Sequence, residues 1–193
     1  MKKNKNAVHI ICVLDRSGSM ASLSDEVINS FNHFLKEQQS EKGKAYLTLV
    51  LFDDRYEVVY DRVNLKNVKP IDSSIYYARG MTGLYDAIGK AINSNTDKDA
   101  MVLIQTDGHE NSSHEYNQDS IKKLIKKKED IGWDFIFLGA NIDTKTEGFK
   151  MGITASKSVS FEASANGVEQ AYFSMDTATK LYRSAKLNEW ETK

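Results

Sequence analysis

The sequence predicts an α/β fold: a doubly wound, mostly parallel sheet with one antiparallel edge strand and helices on both faces. Short apolar runs alternate along the chain with segments whose apolar residues recur every three or four positions, which is helical spacing. The runs at 8–14 and 100–104 are almost continuously apolar, as expected for strands covered on both faces. Each of these runs ends in a polar, turn-prone stretch, at 15–19 and 105–108.

The composition is that of an ordinary soluble globular protein. The chain has 193 residues, 40% of them apolar and 27% charged, with a formal net charge of -1. This length suffices for one core, so we expect a single domain over residues 1–193 with a flexible N-terminal arm at 1–7. The near-neutral charge and the lack of a long apolar segment predict no nucleic-acid partner and no membrane partner. We therefore expect a cytoplasmic monomer.

The first half of the chain predicts three strands and one helix. Residues 8–14 form the first strand, and apolar residues at helical spacing over 23–35 predict the helix that follows. A second apolar run at 46–52 leads into the turn Asp53-Asp54-Arg55, which we interpret as no more than a hairpin turn. Because the next segment, 56–63, contains charged residues, it is expected to be the antiparallel edge strand.

The second half continues the alternation of helix and strand. Its predicted elements are a helix at 84–92, a strand at 100–104, a helix at 121–131, a strand at 134–138, a short helix near 143–151, a strand at 158–161 and a long amphipathic helix at about 163–187. A doubly wound sheet of order 3-2-1-4-5 would place the first and fourth strands side by side where the strand order reverses. Ligands of such sheets bind beyond the carboxyl ends of the strands at that point.

Five oxygen-bearing residues lie at these positions. Asp15, Ser17 and Ser19 occupy every second position after the first strand, so an extended or turning backbone can aim their side chains in one direction. Asp107 follows the fourth strand, and Thr82 precedes a helix. An all-oxygen set favours Mg²⁺, or alternatively Mn²⁺ or Ca²⁺, over Zn²⁺. Taken alone, the Asp15 motif could also be a turn that caps the first helix.

These motifs resemble the metal ion-dependent adhesion site of von Willebrand factor A domains. Asp15-Arg16-Ser17-Gly18-Ser19-Met20 is similar to the first motif of that family. Gly80-Met81-Thr82-Gly83-Leu84 resembles its glycine-threonine loop, with Met81 where the family usually has a second glycine, and Thr106-Asp107-Gly108 matches its third motif. The resemblance covers about residues 8–140 and implies the Rossmann-like fold of that family.

The resemblance also implies a role for each residue. Ser17 and Ser19 would bind the metal directly, and Thr82 would bind it directly in one state of the domain. Asp15 and Asp107 would act directly or through water. An acidic side chain from an unidentified partner protein would complete the shell. We therefore expect a protein-binding module and not an enzyme.

Two other functions remain open at this point. A metal-dependent phosphoesterase or other hydrolase would need a general base near the metal, and His109 and Glu110 are the candidates close in sequence to a ligand. Glu110 and Asn111 could also contact the ligand or its waters. A structural domain in which the metal only stiffens the loops is the other alternative. His33, on or beside the apolar stripe of the first helix, is interpreted as a structural histidine with satisfied hydrogen bonds.

Overall fold

A computed structural model describes residues 6–192, so the predicted N-terminal arm lies outside the described residues except for Asn6 and Ala7. The described chain forms one sheet of six strands: β1 (Val8–Asp15), β2 (Ala45–Phe52), β3 (Tyr56–Asn64), β4 (Ala100–Thr106), β5 (Asp134–Ala140) and β6 (Ser158–Phe161). The strand order is β3-β2-β1-β4-β5-β6. Only the β2–β3 pair is antiparallel within this sheet. The predicted fold class and the order 3-2-1-4-5 are confirmed, and β6 adds a strand beyond β5.

Helices cover both faces of the sheet. They are α1 (Ser24–Ser40), α2 (Leu84–Asn93), α3 (Gln118–Glu129), α4 (Thr144–Lys150) and α5 (Ala165–Glu191). Ile10, Cys12 and Leu14 of β1 join the apolar cluster under α1 and α5, whereas Ile11 and Val13 join the cluster under α2 and α3. This alternation follows from the two-residue period of a strand. Within residues 6–192, no helix is long and apolar enough to span a bilayer.

The central strands determine where polar side chains can emerge. All eight residues of β1 and all seven of β4 are buried. The two strands are parallel neighbours, with Leu14 paired to Gln105. Asp15 is the last residue of β1, and Asp107 directly follows β4. The two carboxylates therefore emerge side by side at the carboxyl edge of the sheet.

Candidate metal site

Oxygen atoms from the loops after β1 and β4 meet at the carboxyl edge. Ser17 directly precedes a 3₁₀ turn at Gly18–Leu23, and Ser19 lies inside that turn. The Ser19 Oγ donates to Asp107 Oδ1 at 2.6 Å, and the Ser17 and Ser19 hydroxyl oxygens are 3.1 Å apart. Ser17, Ser19 and Asp107 thus form one hydrogen-bonded chain across the two loops.

Thr82 approaches the same point from the loop that precedes α2. A Cβ placed on Gly108 would lie 3.3 Å from Thr82 Oγ1 and 3.8 Å from Ser19 Oγ. Both hydroxyls therefore lie close to Gly108, on the side where any other residue would carry its Cβ. The loop reaches this position through Gly80, whose φ of +70° is one that L side chains rarely adopt.

Asp15 lies behind the hydroxyls and is fully buried. Its Oδ1 accepts from the Ser17 N–H at 2.6 Å, and its Oδ2 accepts from Thr106 Oγ1 at 2.5 Å. Burial raises the pKa of Asp15 to about 6, with a smaller contribution from the charge of Asp107 and against the hydrogen bonds from Thr106 and Ser17. Burial also raises the pKa of Asp107, against the hydrogen bond from Ser19. A cation bound beside two neighbouring desolvated carboxylates would stabilise their charged forms.

Tyr76 and Thr106 support Asp15 and were not predicted as site residues. The buried Tyr76 hydroxyl donates to the Asp15 backbone carbonyl at 2.6 Å, which fixes the end of β1. Thr106 binds the Asp15 carboxylate from the end of β4. The position of Thr106 in the Thr106-Asp107-Gly108 motif was the available sequence signal, whereas no local pattern indicates the contact of Tyr76.

Asp53 connects the β2–β3 hairpin to two of the site loops. Its Oδ2 accepts from Arg16 Nε at 3.1 Å and from Arg79 Nε at 2.6 Å. Its Oδ1 accepts from the Arg55 N–H at 2.6 Å. Arg16 is fully buried and also donates to Glu57 at 2.6 Å. The interpretation of Asp53 as only a turn residue is therefore wrong, because its buried carboxylate joins residues that flank Ser17 and Gly80.

Backbone hydrogen bonds tie the first site loop to the Thr82 loop. The Arg79 N–H donates to the Arg16 carbonyl at 2.8 Å, and the Gly18 N–H donates to the Gly80 carbonyl at 3.1 Å. Met81, which stands where the family usually has a second glycine, is 56% exposed. Its side chain therefore lies outside the packed part of this loop.

Glu110 and Asn111 hold the Thr82 loop and the start of α2. The Asn111 Oδ1 accepts from the Thr82 N–H at 2.9 Å. One Glu110 oxygen accepts from the Tyr85 N–H at 2.8 Å, and the other accepts from the Ser112 N–H at 2.9 Å. Both Glu110 carboxylate oxygens are therefore engaged by backbone donors, which is a positioning role.

The two histidines that the sequence singled out differ from each other in setting. The His109 side chain is 67% exposed, and its Nδ1 lies 3.8 Å from a Glu147 carboxylate oxygen. His33 is exposed on the outer surface of α1, where it lines a groove against α5. The interpretation of His33 as a structural histidine is therefore wrong: its helix turns the ring outward, beside the apolar stripe and not within it.

The donor set of the site is poor in charged ligands. Within the described chain, no three His, Cys, Asp or Glu side chains form a group that could hold a metal. The candidate site has two carboxylates, Asp15 and Asp107, and its remaining side-chain donors are hydroxyls. Such neutral and anionic oxygens suit a hard cation that retains water ligands, as Mg²⁺ does.

The similarity of this chain to known proteins is found in its fold and not in its sequence. No protein-family model matches the chain, and a search of curated proteins finds no match. The vWF domain of the type V pili tip protein Mfa5 from Porphyromonas gingivalis superposes with a TM-score of 0.68 at 10% identity, covering 93% of this chain and 97% of that one. Proximal thread matrix protein 1 from the mussel byssus, with a zinc-occupied MIDAS motif, gives a TM-score of 0.65 at 15% identity.

The superposition on proximal thread matrix protein 1 covers 91% of this chain and 46% of the mussel protein. A von Willebrand factor type A structure from Catenulispora acidiphila gives a TM-score of 0.61 at 15% identity, with 89% of this chain and 42% of that one covered. The chain thus spans less than half the length of these two structures. Together with the strand order and the three loops at the carboxyl edge, these similarities show that the chain has the fold of von Willebrand factor A domains.

Proposed function

We propose that this chain is a metal-dependent module that binds a partner protein. The observation that carries the proposal is the contact of Ser19 with Asp107, which joins the loops after two neighbouring parallel strands. Ser17 extends this contact, and the Thr82 and Ser19 hydroxyls both lie close to Gly108. A turn that only caps α1 would not require these oxygens from separate loops to converge.

Asp15, Ser17, Ser19, Thr82 and Asp107 would hold the ion, for which Mg²⁺ is our first choice and Mn²⁺ or Ca²⁺ the alternatives. When bound, the ion would supply a strong local positive charge that favours one further anionic oxygen ligand. The chain itself contributes two carboxylates and three neutral hydroxyls. Because the chain supplies only two negative charges, the ion can still bind an Asp or Glu side chain of the partner.

The surface around the site offers contacts for such a partner. Met81 in the Thr82 loop is 56% exposed, and Tyr77, which precedes this loop, is 43% exposed. Exposed apolar side chains beside a polar centre are common at protein interfaces. The loops at 16–21, 79–83 and 108–115 would therefore determine which protein is recognised. The structural neighbours include a pilus tip protein and a matrix protein, which supports a binding role by analogy of fold alone.

The contacts of Glu110 weigh against the hydrolase alternative. A general base must be free to accept a proton from water or substrate. Both Glu110 oxygens already accept from backbone N–H groups, and the Ser113 hydroxyl donates to one of them at 2.7 Å. This residue is therefore better suited to holding the loop than to catalysis.

Affinity capture tests the proposed function. The wild-type chain and a Ser17→Ala/Ser19→Ala variant are immobilised and exposed to an extract of the source cells, with Mg²⁺ or with EDTA. We expect a protein that is retained by the wild type with Mg²⁺ and lost with EDTA or in the variant. A Ser22→Ala variant, altered in the same 3₁₀ turn but outside the site, should retain it. Retention that is unchanged by EDTA and by the double substitution would contradict the proposal.

A further inference from the structure

A groove between α1 and α5 lies on the face of the sheet opposite α2 and α3. Its volume is about 590 Å³, which is within the range of ligand-binding clefts. Its lining runs along α1 from Glu26 to Glu37 and along α5 from Ala165 to Lys180. Eleven residues of helix rise by roughly 16 Å, so the groove has the length of about three helical turns.

The groove combines a buried apolar floor with an exposed aromatic rim. Phe34 and Tyr172 line it and are almost completely buried in the core beneath it. Phe173 lines it as well, but 71% of that residue is exposed. A large aromatic side chain left in water beside an apolar floor gains free energy if another apolar surface covers it.

The walls of the groove carry an excess of negative charge. Lys180 and His33 are the basic residues among the described lining residues, and the Lys180 Nζ is already bound to Glu37 at 2.9 Å and to Asp176 at 2.8 Å. The side chains of Glu26 on α1 and Glu169 on α5 have neither an ion pair nor a hydrogen bond within the described chain. Two carboxylates without partners thus face the same groove from its two sides.

We propose that this groove binds a basic amphipathic helix of a partner protein. The apolar side chains of that helix would cover Phe173 and contact the floor, and its Lys or Arg side chains would pair with Glu26 and Glu169. Placing an amphipathic helix in a groove between two helices is a recurring mode of peptide recognition. The charge of the walls selects a basic helix, because an acidic one would place like charges together.

A second copy of this chain fits the groove less well. Helix α3 carries five lysines, at 122, 123, 126, 127 and 128, and is the most basic segment of the chain. Its apolar residues Ile121 and Ile125 are buried against the sheet, so its outer surface offers lysines but few apolar side chains. A helix from a different protein can present both.

Two designed peptides test the proposal directly. Each has about 14 residues, with leucines at helical spacing on one face and either lysines or glutamates on the other. They are titrated into the full chain in EDTA, so that the candidate metal site does not contribute, and binding is followed by fluorescence anisotropy. We expect the lysine peptide to bind and to shift amide NMR signals of α1 and α5. Equal binding of the glutamate peptide, or no binding of either, would overturn the proposal.

Matched substitutions locate the binding. Glu26→Gln/Glu169→Gln removes two exposed charges and is expected to weaken binding of the lysine peptide about threefold to tenfold. Phe173→Ser should weaken it further, because it removes the apolar rim. Asp61→Asn/Asp130→Asn makes the same charge change on exposed residues outside the groove and should leave binding unchanged. Wild-type affinity of both groove variants would overturn the proposal, as would self-association in sedimentation that the groove variants abolish.

Discussion

Ser19 and Asp107 are 88 positions apart in the sequence, yet the Ser19 hydroxyl donates to the Asp107 carboxylate at 2.6 Å. The contact exists because β1 and β4 are parallel neighbours whose carboxyl ends meet. The buried Asp15 ends β1 next to this contact, and the Thr82 hydroxyl lies near the same glycine, Gly108, as the Ser19 hydroxyl. Because residues of three loops form the site, substitutions in each loop can be tested separately for their effect on metal binding.

Ser19→Ala is expected to weaken Mg²⁺ binding without unfolding the chain. Ser19 is exposed and its Oγ is shared between Ser17 and Asp107, so its loss removes a donor but little packing. Loss of even an outer partner of a metal typically costs 10–100-fold in affinity, and we expect at least roughly that reduction. Calorimetric titration measures the affinity, with Ser22→Ala as the control. An unchanged affinity for Mg²⁺ would remove Ser19 from the site.

Gly108→Ala tests whether metal binding requires the absence of a side chain at this position, independently of the stability of the fold. The new methyl group would lie 3.3 Å from Thr82 Oγ1, which is a tight contact, and 3.8 Å from Ser19 Oγ, which is an ordinary one, so it would crowd the Thr82 hydroxyl. We expect weaker metal binding with a melting temperature close to that of the wild type. Gly18→Ala is the comparison, because its methyl group would meet only the Gly80 carbonyl at 3.5 Å, an ordinary contact. Equal metal affinities of the two variants would refute this assignment.

Asp53→Ala should be strongly destabilising. The Arg16 and Asp53 side chains are both fully buried, so removing the carboxylate breaks a buried ion pair and leaves the guanidinium only its contact with Glu57. Breaking a buried pair in this way typically costs about 3–5 kcal/mol. Urea unfolding measures the loss, and Asp54→Ala, at the exposed neighbouring position, should change stability by less than about 0.5 kcal/mol. Similar losses in the two variants would show that Asp53 acts only as a turn residue.

Asp97 should make stability depend on pH in the acid range. Burial alone would raise the pKa of Asp97, but hydrogen bonds from His9 and Arg62 outweigh it and hold the pKa well below its usual range. The folded chain therefore binds fewer protons than the unfolded chain at low pH. This contribution is present above about pH 4, the unfolded pKa, and is lost as the pH falls toward the folded pKa.

Urea unfolding of the wild type and of Asp97→Asn, repeated from pH 7 to pH 3, checks this dependence. The difference in unfolding free energy between the two proteins should shrink as the pH falls. Asp61→Asn, at an exposed position of β3, serves as the control. A difference that stays constant over this range would mean that Asp97 titrates alike in the folded and unfolded states.

The sequence predicts the fold and the convergence of the site for the same physical reason. Continuous apolar runs mark strands covered on both faces, and polar motifs at their ends must emerge at the carboxyl edge. Asp15 and Asp107 follow two such runs, so their proximity is predictable from the sequence pattern alone. The role of each residue at a metal remains a prediction that solution measurements must test.

The residues that support the site could not be predicted in the same way. Asp53 resembles any other turn aspartate in sequence, and its buried bonds to Arg16 and Arg79 depend on how three separate loops meet. Asn111 binds the backbone of Thr82, a contact that no periodic pattern encodes. Periodicity predicts which face of a helix is buried, but His33 lies at the margin of such a face, where the exact helix rotation decides exposure.

Calorimetric titration of the EDTA-treated chain with Mg²⁺, and separately with Mn²⁺, tests the central claim most directly. An Asp15→Ala/Asp107→Ala variant is titrated beside it, and circular dichroism verifies that the variant is folded. We predict saturable binding of one ion per chain by the wild type and no binding by the variant. Absence of binding of both ions to the folded wild type, or equal binding by the folded variant, would contradict the metal site proposed here.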